Sequence, residues 1–277
     1  MSGYKGEDEL TLVENIVEKI LKEPPPKMLS TGFEGVDLLL DGGFLENDFI
    51  CLSGESKGGK TRFALQLMKQ MREYHPLFIA IEDGIEDQIR REISYQGDMP
   101  KGILVPRDKP KDGYTIEWLE LKIKEAKSKY DCKMVVIDNL DWIEKMPKMS
   151  DYMSSKEIVL RLKNLSDDYK ICIILIAHLK IGEKSFGYST QRPSVYNLKG
   201  GSHIYQMAKR TLLLWRVKRK DGAFSIKDVG ITTLNLELDR YRGAYGEVPF
   251  KFIEWKFKEI SKGDYQQIMA EAFPNKK

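Results

Sequence analysis

The sequence contains few cysteines and no long apolar run. Its three cysteines, Cys51, Cys132 and Cys172, cannot all pair with one another, and two of them lie inside or beside runs of Val and Ile. The longest uninterrupted apolar run, residues 171–177, is far shorter than the roughly 18 residues of a membrane-spanning helix. These absences argue against disulfide-rich and membrane proteins. They predict a cytoplasmic chain, or a viral protein acting in the host cytoplasm, with reduced and buried cysteines.

An excess of charge of one sign is missing as well. The 277 residues include 45 basic and 42 acidic side chains, which gives a formal net charge of +3. The amino end is acidic and lacks both the apolar core of a signal peptide and the arginine-rich bias of an organelle presequence. A polyanionic partner would therefore have to contact a local basic patch, because the chain as a whole offers it little attraction.

What the sequence does contain is a regular alternation of apolar runs and helical patterns after the prolines at 24–26. Strands are predicted at 49–53, 77–81, 134–137 and 171–177, and helices at 61–74, 85–95, 115–130 and 157–169. Three further strands, at 211–217, 232–238 and 248–257, follow without intervening helices. This order predicts an α/β fold with a mostly parallel sheet flanked by helices and with antiparallel strands at its carboxyl-terminal edge.

One predicted helix stands apart from this alternation. Residues 10–22 place apolar side chains at helical spacing with charges on the other face, and the prolines that follow cannot continue the helix. A single amphipathic helix has no second layer of its own against which to bury its apolar face. It either packs back on its own domain or docks on another subunit, and the sequence leaves both arrangements open.

The strongest chemical signal is a glycine-rich segment between a predicted strand and a predicted helix. Residues 54–61, Gly-Glu-Ser-Lys-Gly-Gly-Lys-Thr, fit the pattern G-x-x-x-x-G-K-[ST] of a phosphate-binding loop. Its backbone N–H groups are expected to surround the phosphates of ATP, with Lys60 at the β- and γ-phosphates and Thr61 on Mg²⁺. The residues predicted to bind the nucleotide are Gly54, Glu55, Ser56, Lys57, Gly58, Gly59, Lys60, Thr61 and Arg62.

Three other predicted strands end in polar side chains that would complete such a site. Asp138 follows a buried strand and is predicted to lie beside Thr61 and to hold Mg²⁺. Glu82 is predicted to be the general base that activates water, and Asp83 is an alternative that spacing alone cannot separate from it. His178 ends a third strand, where it would adjoin the nucleotide.

Basic side chains are concentrated between residues 180 and 220, where Glu183 is the one acidic residue. The first half of this segment, 180–201, is also rich in glycine, which predicts a mobile loop suited to contacts with a nucleic-acid backbone. Residues 218–220 are predicted instead to form a solvated surface turn. The basic residues of the segment are Lys180, Lys184, Arg192, Lys199, Lys209, Arg210, Arg216, Lys218, Arg219 and Lys220.

Taken in this order, the motifs resemble the RecA-like motor domain of the DnaB-type ring helicases, including Twinkle and the phage primase-helicases. The resemblance covers residues 28–257. Its first part, residues 31–43, is shared with the RecA, RadA and KaiC proteins and does not discriminate among them. The more specific similarities lie at 137–140 with the Twinkle-like Walker B motif, at 192–206 with the DnaB loop and helix, and at 238–246 with the family segment K-N-R-F-x-G-x-x-G.

The resemblance implies roles for individual residues. His178 would occupy the family's Gln/His switch position, Gln206 would lie near the nucleotide, and Arg240 would be the arginine finger that reaches the γ-phosphate of a neighbouring subunit. The chain departs from the family pattern at Leu238, which replaces a lysine, and Arg242 has no counterpart there. The implied contacts to single-stranded DNA are Lys180, Lys184, Arg192, Lys199 and Gly200.

For the whole chain, the resemblance implies an ATP-driven translocase or helicase on single-stranded DNA, of the replicative type. Such a motor would form a hexamer or similar ring and would work with a separate primase or polymerase. Residues 1–26 would be a linker helix and proline spacer, and residues 27–277 a RecA-like P-loop ATPase motor domain without a primase domain. A RecA/RadA-type recombinase and a KaiC-like regulatory ATPase share this core and remain alternatives. The basic loop at 180–200 argues against the KaiC-like one.

Overall fold

The computed structural model describes residues 10–96, 101–111, 113–143, 150–179, 192–194, 198, 202–220 and 226–274. The strands are β1 (Met28–Leu29), β2 (Phe44–Leu45), β3 (Phe49–Gly54), β4 (Leu77–Ala80), β5 (Met134–Asp138), β6 (Cys172–His178), β7 (Arg210–Lys220), β8 (Ile226–Asp239), β9 (Gly246–Ile253) and β10 (Lys256–Glu259). The helices are α1 (Val13–Lys22), α2 (Glu34–Leu40), α3 (Lys60–Gln70), α4 (Ile85–Gln96), α5 (Ile116–Tyr130), α6 (Asp151–Tyr169), α7 (Ser202–Met207) and α8 (Lys262–Ala272).

One eight-stranded sheet organises these elements, in the order β10-β9-β8-β7-β3-β6-β5-β4. The neighbours from β7 to β4 are parallel, whereas the pairs from β7 to β10 are antiparallel. Gly54 on β3 lies opposite His178 on β6, and Ala80 on β4 lies opposite Asp138 on β5. The carboxyl ends of these four strands therefore meet at one edge of the sheet. The predicted fold class, with its antiparallel edge, is confirmed.

Each face of the sheet is covered by its own apolar core. Alternate residues of β3 belong to opposite cores, with Ile50 in one and Cys51 in the other. This arrangement explains why β3 is an uninterrupted apolar run, since a parallel strand buried on both faces has no polar side. Around α3, the ring of Phe63 stacks on Phe33 at a centroid distance of 5.5 Å and meets Phe250 edge-on at 5.7 Å. Burial of each such ring contributes about 1.5–3 kcal/mol.

Helix starts follow the expected capping chemistry. The Thr115 hydroxyl accepts a hydrogen bond from the Trp118 backbone N–H at 3.2 Å and begins α5, as the sequence predicts. Ser150 caps α6 in the same way, so that helix begins at Asp151 rather than at residue 157. The three cysteines are all buried, in agreement with the prediction made for them.

Two predictions for the carboxyl-terminal part are wrong. Residues 248–257 do not form one strand, because Glu254 and Trp255 adopt positive φ angles of 50° and 62° and turn the chain between β9 and β10. Residues 218–220 are not a surface turn, because they continue β7 and pair with the start of β8. The structure also adds α8, which the apolar pattern does not reveal.

Helix α1 lies where an amphipathic helix was predicted, but none of its residues is buried. Its apolar side chains range from 46% exposed at Ile16 to 80% exposed at Leu21. Within the described part of the chain, α1 therefore does not pack on its own domain, and docking on another subunit is the arrangement that stays open. Among the described residues, no helix combines the length and the hydropathy that are needed to cross a bilayer.

Candidate nucleotide-binding site

The glycine-rich loop connects β3 to α3 at the edge of the sheet where the four parallel strands end. Gly59 precedes α3 with a φ of 91°, in the left-handed region that glycine tolerates best. A Cβ atom at Gly54 would lie 2.4 Å from the Leu214 carbonyl oxygen of β7, so a larger residue would force the strands apart. The two glycines thus allow the tight turn and the close approach that a phosphate-binding loop requires.

Lys60 begins α3, and its side chain folds back along the loop. Its Nζ donates hydrogen bonds to the carbonyl oxygens of Gly54 and Glu55 at 3.1 and 3.0 Å, and lies 3.4 Å from His178 Nδ1. Burial lowers the pKa of Lys60 from its ordinary value, and the negative charges of Asp138 and Glu82 oppose that change. An anionic ligand such as a polyphosphate would favour the charged form of this buried ammonium group.

Thr61, in the first turn of α3, meets Asp138 at the end of β5. They meet even though β6 separates β5 from β3, the strand that leads into the loop. The Thr61 hydroxyl donates to Asp138 Oδ2 at 2.5 Å. Burial raises the pKa of Asp138, the Thr61 hydrogen bond lowers it, and the charge of Glu82 raises it. A divalent cation would stabilise the ionised carboxylate at this position, and hydroxyl and carboxylate oxygens are ligands that Mg²⁺ accepts. These two residues therefore fit a magnesium site.

Behind this pair lies a hydrogen-bonded group that joins three strand ends. Asn139 Nδ2 donates to Glu82 Oε2 and lies 2.8 Å from His178 Nε2. His178 Nε2 is itself 3.4 Å from Glu82 Oε2. Asp83, the alternative base, also lines the cleft, but its Oδ2 accepts from Gln88 and Arg91 of α4 rather than from Asn139. The sequence singled out Glu82 and His178 but assigned no role to Asn139.

The cleft extends from the loop to a pair of aromatic rings and has a volume of about 570 Å³. Tyr95 of α4 and Trp255 of the β9–β10 turn stack at its far end, with ring centroids 3.7 Å apart. Arg62 connects this end to α3, because its Nε donates to the Trp255 carbonyl oxygen at 2.8 Å. Burial lowers the pKa of Arg62. Sequence reasoning predicted Arg62 but missed both rings, which only the tertiary fold brings together.

Two residues that the resemblance places near a nucleotide lie outside the lining of this cleft. Gln206 is on α7, and its carbonyl oxygen accepts from Arg240 Nη2 at 3.0 Å. The Arg240 guanidinium also donates to the carbonyl oxygens of Ala208 and Tyr205, at 2.9 and 3.3 Å. Within one protomer, Arg240 therefore caps the carboxyl end of α7. Gln206 does not line the cleft of its own protomer, and its place near a nucleotide stays a prediction.

The basic residues of the segment 180–220 that the structure describes contact several different parts of the fold. Lys180, Lys184, Lys199 and Gly200 lie outside the described residues. Arg192 pairs with Glu237 at 3.0 Å and donates to Asn235 Oδ1 at 2.8 Å, on β8.

The carboxyl-terminal basic residues are also engaged in the fold. Lys209 pairs with Asp167 at 2.5 Å. Arg210 is buried against Asp48 at 2.7 Å, and Lys218 pairs with Glu55 of the phosphate-binding loop. The prediction of a solvated charge at Lys218 is therefore wrong.

The parallel sheet, the glycine-rich loop and the carboxylates at neighbouring strand ends define a RecA-like P-loop ATPase domain. The family model for the KaiC-type ATPase matches residues 29–200, which is more than half of the chain. The chain therefore belongs to the KaiC ATPase family. The resemblance to DnaB-type helicases correctly predicts the RecA-like fold, but the family that the sequence matches is the KaiC one.

Curated relatives and solved structures agree with this fold. The UPF0273 proteins PH0284 of Pyrococcus horikoshii and PF1931 of Pyrococcus furiosus are both 26% identical to the chain, over 74% of its length and 93% of theirs. Among solved structures, an isolated ATPase domain matches with a TM-score of 0.72 at 19% identity, covering 92% of this chain and all of that domain.

Two further solved structures of similar fold are a DnaB-like helicase and a KaiC-like protein. A DnaB-like replicative helicase, studied for its interactions with primase, matches with a TM-score of 0.71 at 19% identity, covering 90% of this chain and 68% of that one. The KaiC-like protein PH0186 of P. horikoshii matches with a TM-score of 0.62 at 18% identity, covering 86% of this chain and 100% of that one. At these identities the likenesses show the fold alone.

Proposed function

We propose that the cleft hydrolyses Mg·ATP and that Glu82 is the general base. The observation that carries this proposal is the convergence of Lys60, Thr61, Asp138 and Glu82 at one edge of the sheet. Lys60 would hold the β- and γ-phosphates, while Thr61 and Asp138 would hold the metal ion. Bound Mg²⁺ supplies charge neutralisation at the phosphates. The Glu82 carboxylate would take a proton from the attacking water.

The base of the nucleotide would occupy the far end of the same cleft. Tyr95 and Trp255 present exposed aromatic faces there, 48% and 42% exposed, and such faces bind planar bases by stacking. Arg62 lies between this pair and the phosphate-binding loop. The cleft is lined both by the loop with its charged groups and by aromatic rings, which suits a ligand that carries phosphates and a planar base.

We further propose that ATP hydrolysis is coupled to movement on single-stranded DNA. The support is the glycine-rich basic segment at 180–200 and the DnaB-like pattern that follows it. A ring of subunits would complete the site, with Arg240 acting on the γ-phosphate of a neighbour and α1 docked on that neighbour. A primase or polymerase would then be a separate partner.

A KaiC-type regulatory ATPase that binds no DNA is the second candidate. It is favoured by the family match and by the UPF0273 relatives. It is also favoured by Arg192, whose charge is already paired with Glu237 on β8 and is less available to a phosphate backbone. Both candidates use the same hydrolytic residues, so ATP turnover alone does not separate them.

The experiment that separates them is ATP turnover with and without oligo-dT, followed by unwinding of a fork with single-stranded tails. A DNA motor should show DNA-stimulated turnover that weakens with salt, because phosphate contacts release counterions. It should open the fork only with ATP and should ignore blunt duplex. Turnover indifferent to DNA would favour the KaiC-type candidate, and strand exchange without fork opening would favour a recombinase.

A further inference from the structure

Asn139 occupies the centre of the hydrogen-bonded group behind the phosphates and is only 1% exposed. It lies beside Glu82, the proposed base, and His178, the residue at the predicted switch position, and its side chain contacts both. These two residues also approach each other directly, at 3.4 Å. The Asn139 Nδ2 donates to Glu82 Oε2 and approaches His178 Nε2 at 2.8 Å. His178 in turn reaches Lys60 Nζ through its other ring nitrogen, at 3.4 Å. A neutral imidazole has one acceptor nitrogen, so if Nε2 accepts from Asn139, the approach of Nδ1 to Lys60 is a contact and not a second accepted hydrogen bond.

The orientation of the Asn139 amide is fixed from its other side. Its Oδ1 accepts the backbone N–H of Asp141 at 3.0 Å. Because the oxygen is engaged there, the NH₂ group must face Glu82 and His178. An NH₂ group carries two protons, so it can serve a carboxylate oxygen and a ring nitrogen at the same time.

The three side chains differ in their exposure to the cleft. Glu82 is 40% exposed and His178 is 21% exposed, so both side chains border the open cleft. Asn139 beneath them is enclosed, and its backbone follows β5 directly. An enclosed donor therefore contacts two partly exposed side chains from below.

We propose that Asn139 is a positioning residue that couples His178 to Glu82. On this view, which rests on the proposed ATPase function, the contact between His178 and the phosphate side of the cleft is transmitted to the carboxylate that activates water. Asn139 would act on the reaction through these two side chains, which border the open cleft.

The test compares two variants that separate this role from a structural one. Asn139→Ala removes both the donor and the oxygen that caps Asp141. Asn139→Asp keeps the shape and the capping oxygen, but replaces the donor by an acceptor next to Glu82. ATP turnover is measured per nucleotide-binding site, together with the KM for ATP and the unfolding temperature.

If Asn139 positions Glu82, both variants should lose turnover by about 100-fold, the loss expected for a misplacement near 1 Å. In Asn139→Ala, KM should stay within a few-fold of its original value. In Asn139→Asp, the unfolding temperature should lie above that of the alanine variant although turnover is no better. Recovery of turnover in Asn139→Asp would overturn the proposal, since the cap alone would then explain the residue.

A double substitution tests the coupling itself. If His178 acts on Glu82 through Asn139, then adding His178→Ala to Asn139→Ala should reduce turnover no further than the more severe single variant. Fully additive losses would mean that the two residues act independently and would contradict the coupling. Absence of turnover in the unmodified protein would instead reject the proposed ATPase function, which is a different and distinguishable failure.

Discussion

At the scale of single residues, Arg240 can be assigned a structural role in its own subunit and a role in hydrolysis in a neighbouring one. The two roles can be distinguished by experiment. The Arg240 guanidinium caps α7 through three carbonyl oxygens of its own subunit. The family resemblance assigns it instead to the neighbour's γ-phosphate. An arginine finger contributes about 10³–10⁵-fold to turnover, whereas three backbone hydrogen bonds contribute about 0.5–1.5 kcal/mol each to stability. Turnover and unfolding temperature therefore respond differently to its removal.

We expect Arg240→Ala to bind ATP and to lose nearly all hydrolysis, because the finger acts only on charge that develops in the transition state. Arg242→Ala is the matched control, since Arg242 pairs with Asp41 and donates to the Leu39 carbonyl oxygen nearby. Mixing Arg240→Ala subunits into the unmodified protein should depress turnover by more than the mutant fraction. A strictly proportional loss would show that each subunit works alone.

At the scale of elements, local pattern was sufficient where a segment is buried on a regular face. It located β3, β5, α5 and the phosphate-binding loop, whose glycine spacing is itself the structural requirement. It was insufficient for the β9–β10 turn, because Glu254 and Trp255 are not residue types that signal a left-handed turn. Local pattern also did not predict the Tyr95–Trp255 stack or the Lys218–Glu55 ion pair, because each joins segments that are distant in sequence.

Within the described part of one protomer, no other element covers the apolar face of helix α1. Its apolar residues face solvent, so we expect it to find a partner surface in an assembly. Deleting residues 1–26 should leave a folded domain with an unchanged unfolding temperature that no longer assembles at micromolar concentration. Light scattering after size-exclusion chromatography measures this directly.

Point variants on α1 provide the control for that deletion. Ile20→Glu, on the apolar face, should weaken assembly as the deletion does, whereas Glu18→Gln should not. Persistence of the assembly in the truncated protein would contradict a docking role for α1. Unfolding of the truncated protein would mean that the helix stabilises its own domain.

At the scale of the whole molecule, the sheet brings together groups from four strand ends that are spread over residues 60–178 of the sequence. Lys60, Glu82, Asp138 and His178 could be named from sequence because a P-loop requires a metal-binding carboxylate and a base nearby. The contacts among these residues could not be predicted from sequence, because they depend on the order of the strands in the sheet. In that order, β6 separates β3 from β5. Asn139 went unassigned for the same reason, and the roles of all five stay predictions until turnover is measured.

The most direct test of the central claim is the rate of Mg²⁺-dependent ATP turnover by Glu82→Gln, measured beside Asp83→Asn. Removing a positioned general base lowers turnover by about 10²–10⁴-fold, so Glu82→Gln should bind ATP normally and hydrolyse it that much more slowly. Asp83→Asn should lose far less, because the Asp83 carboxylate is held by Gln88 and Arg91 of α4. Near-normal turnover in Glu82→Gln, with the large loss in Asp83→Asn, would contradict the account.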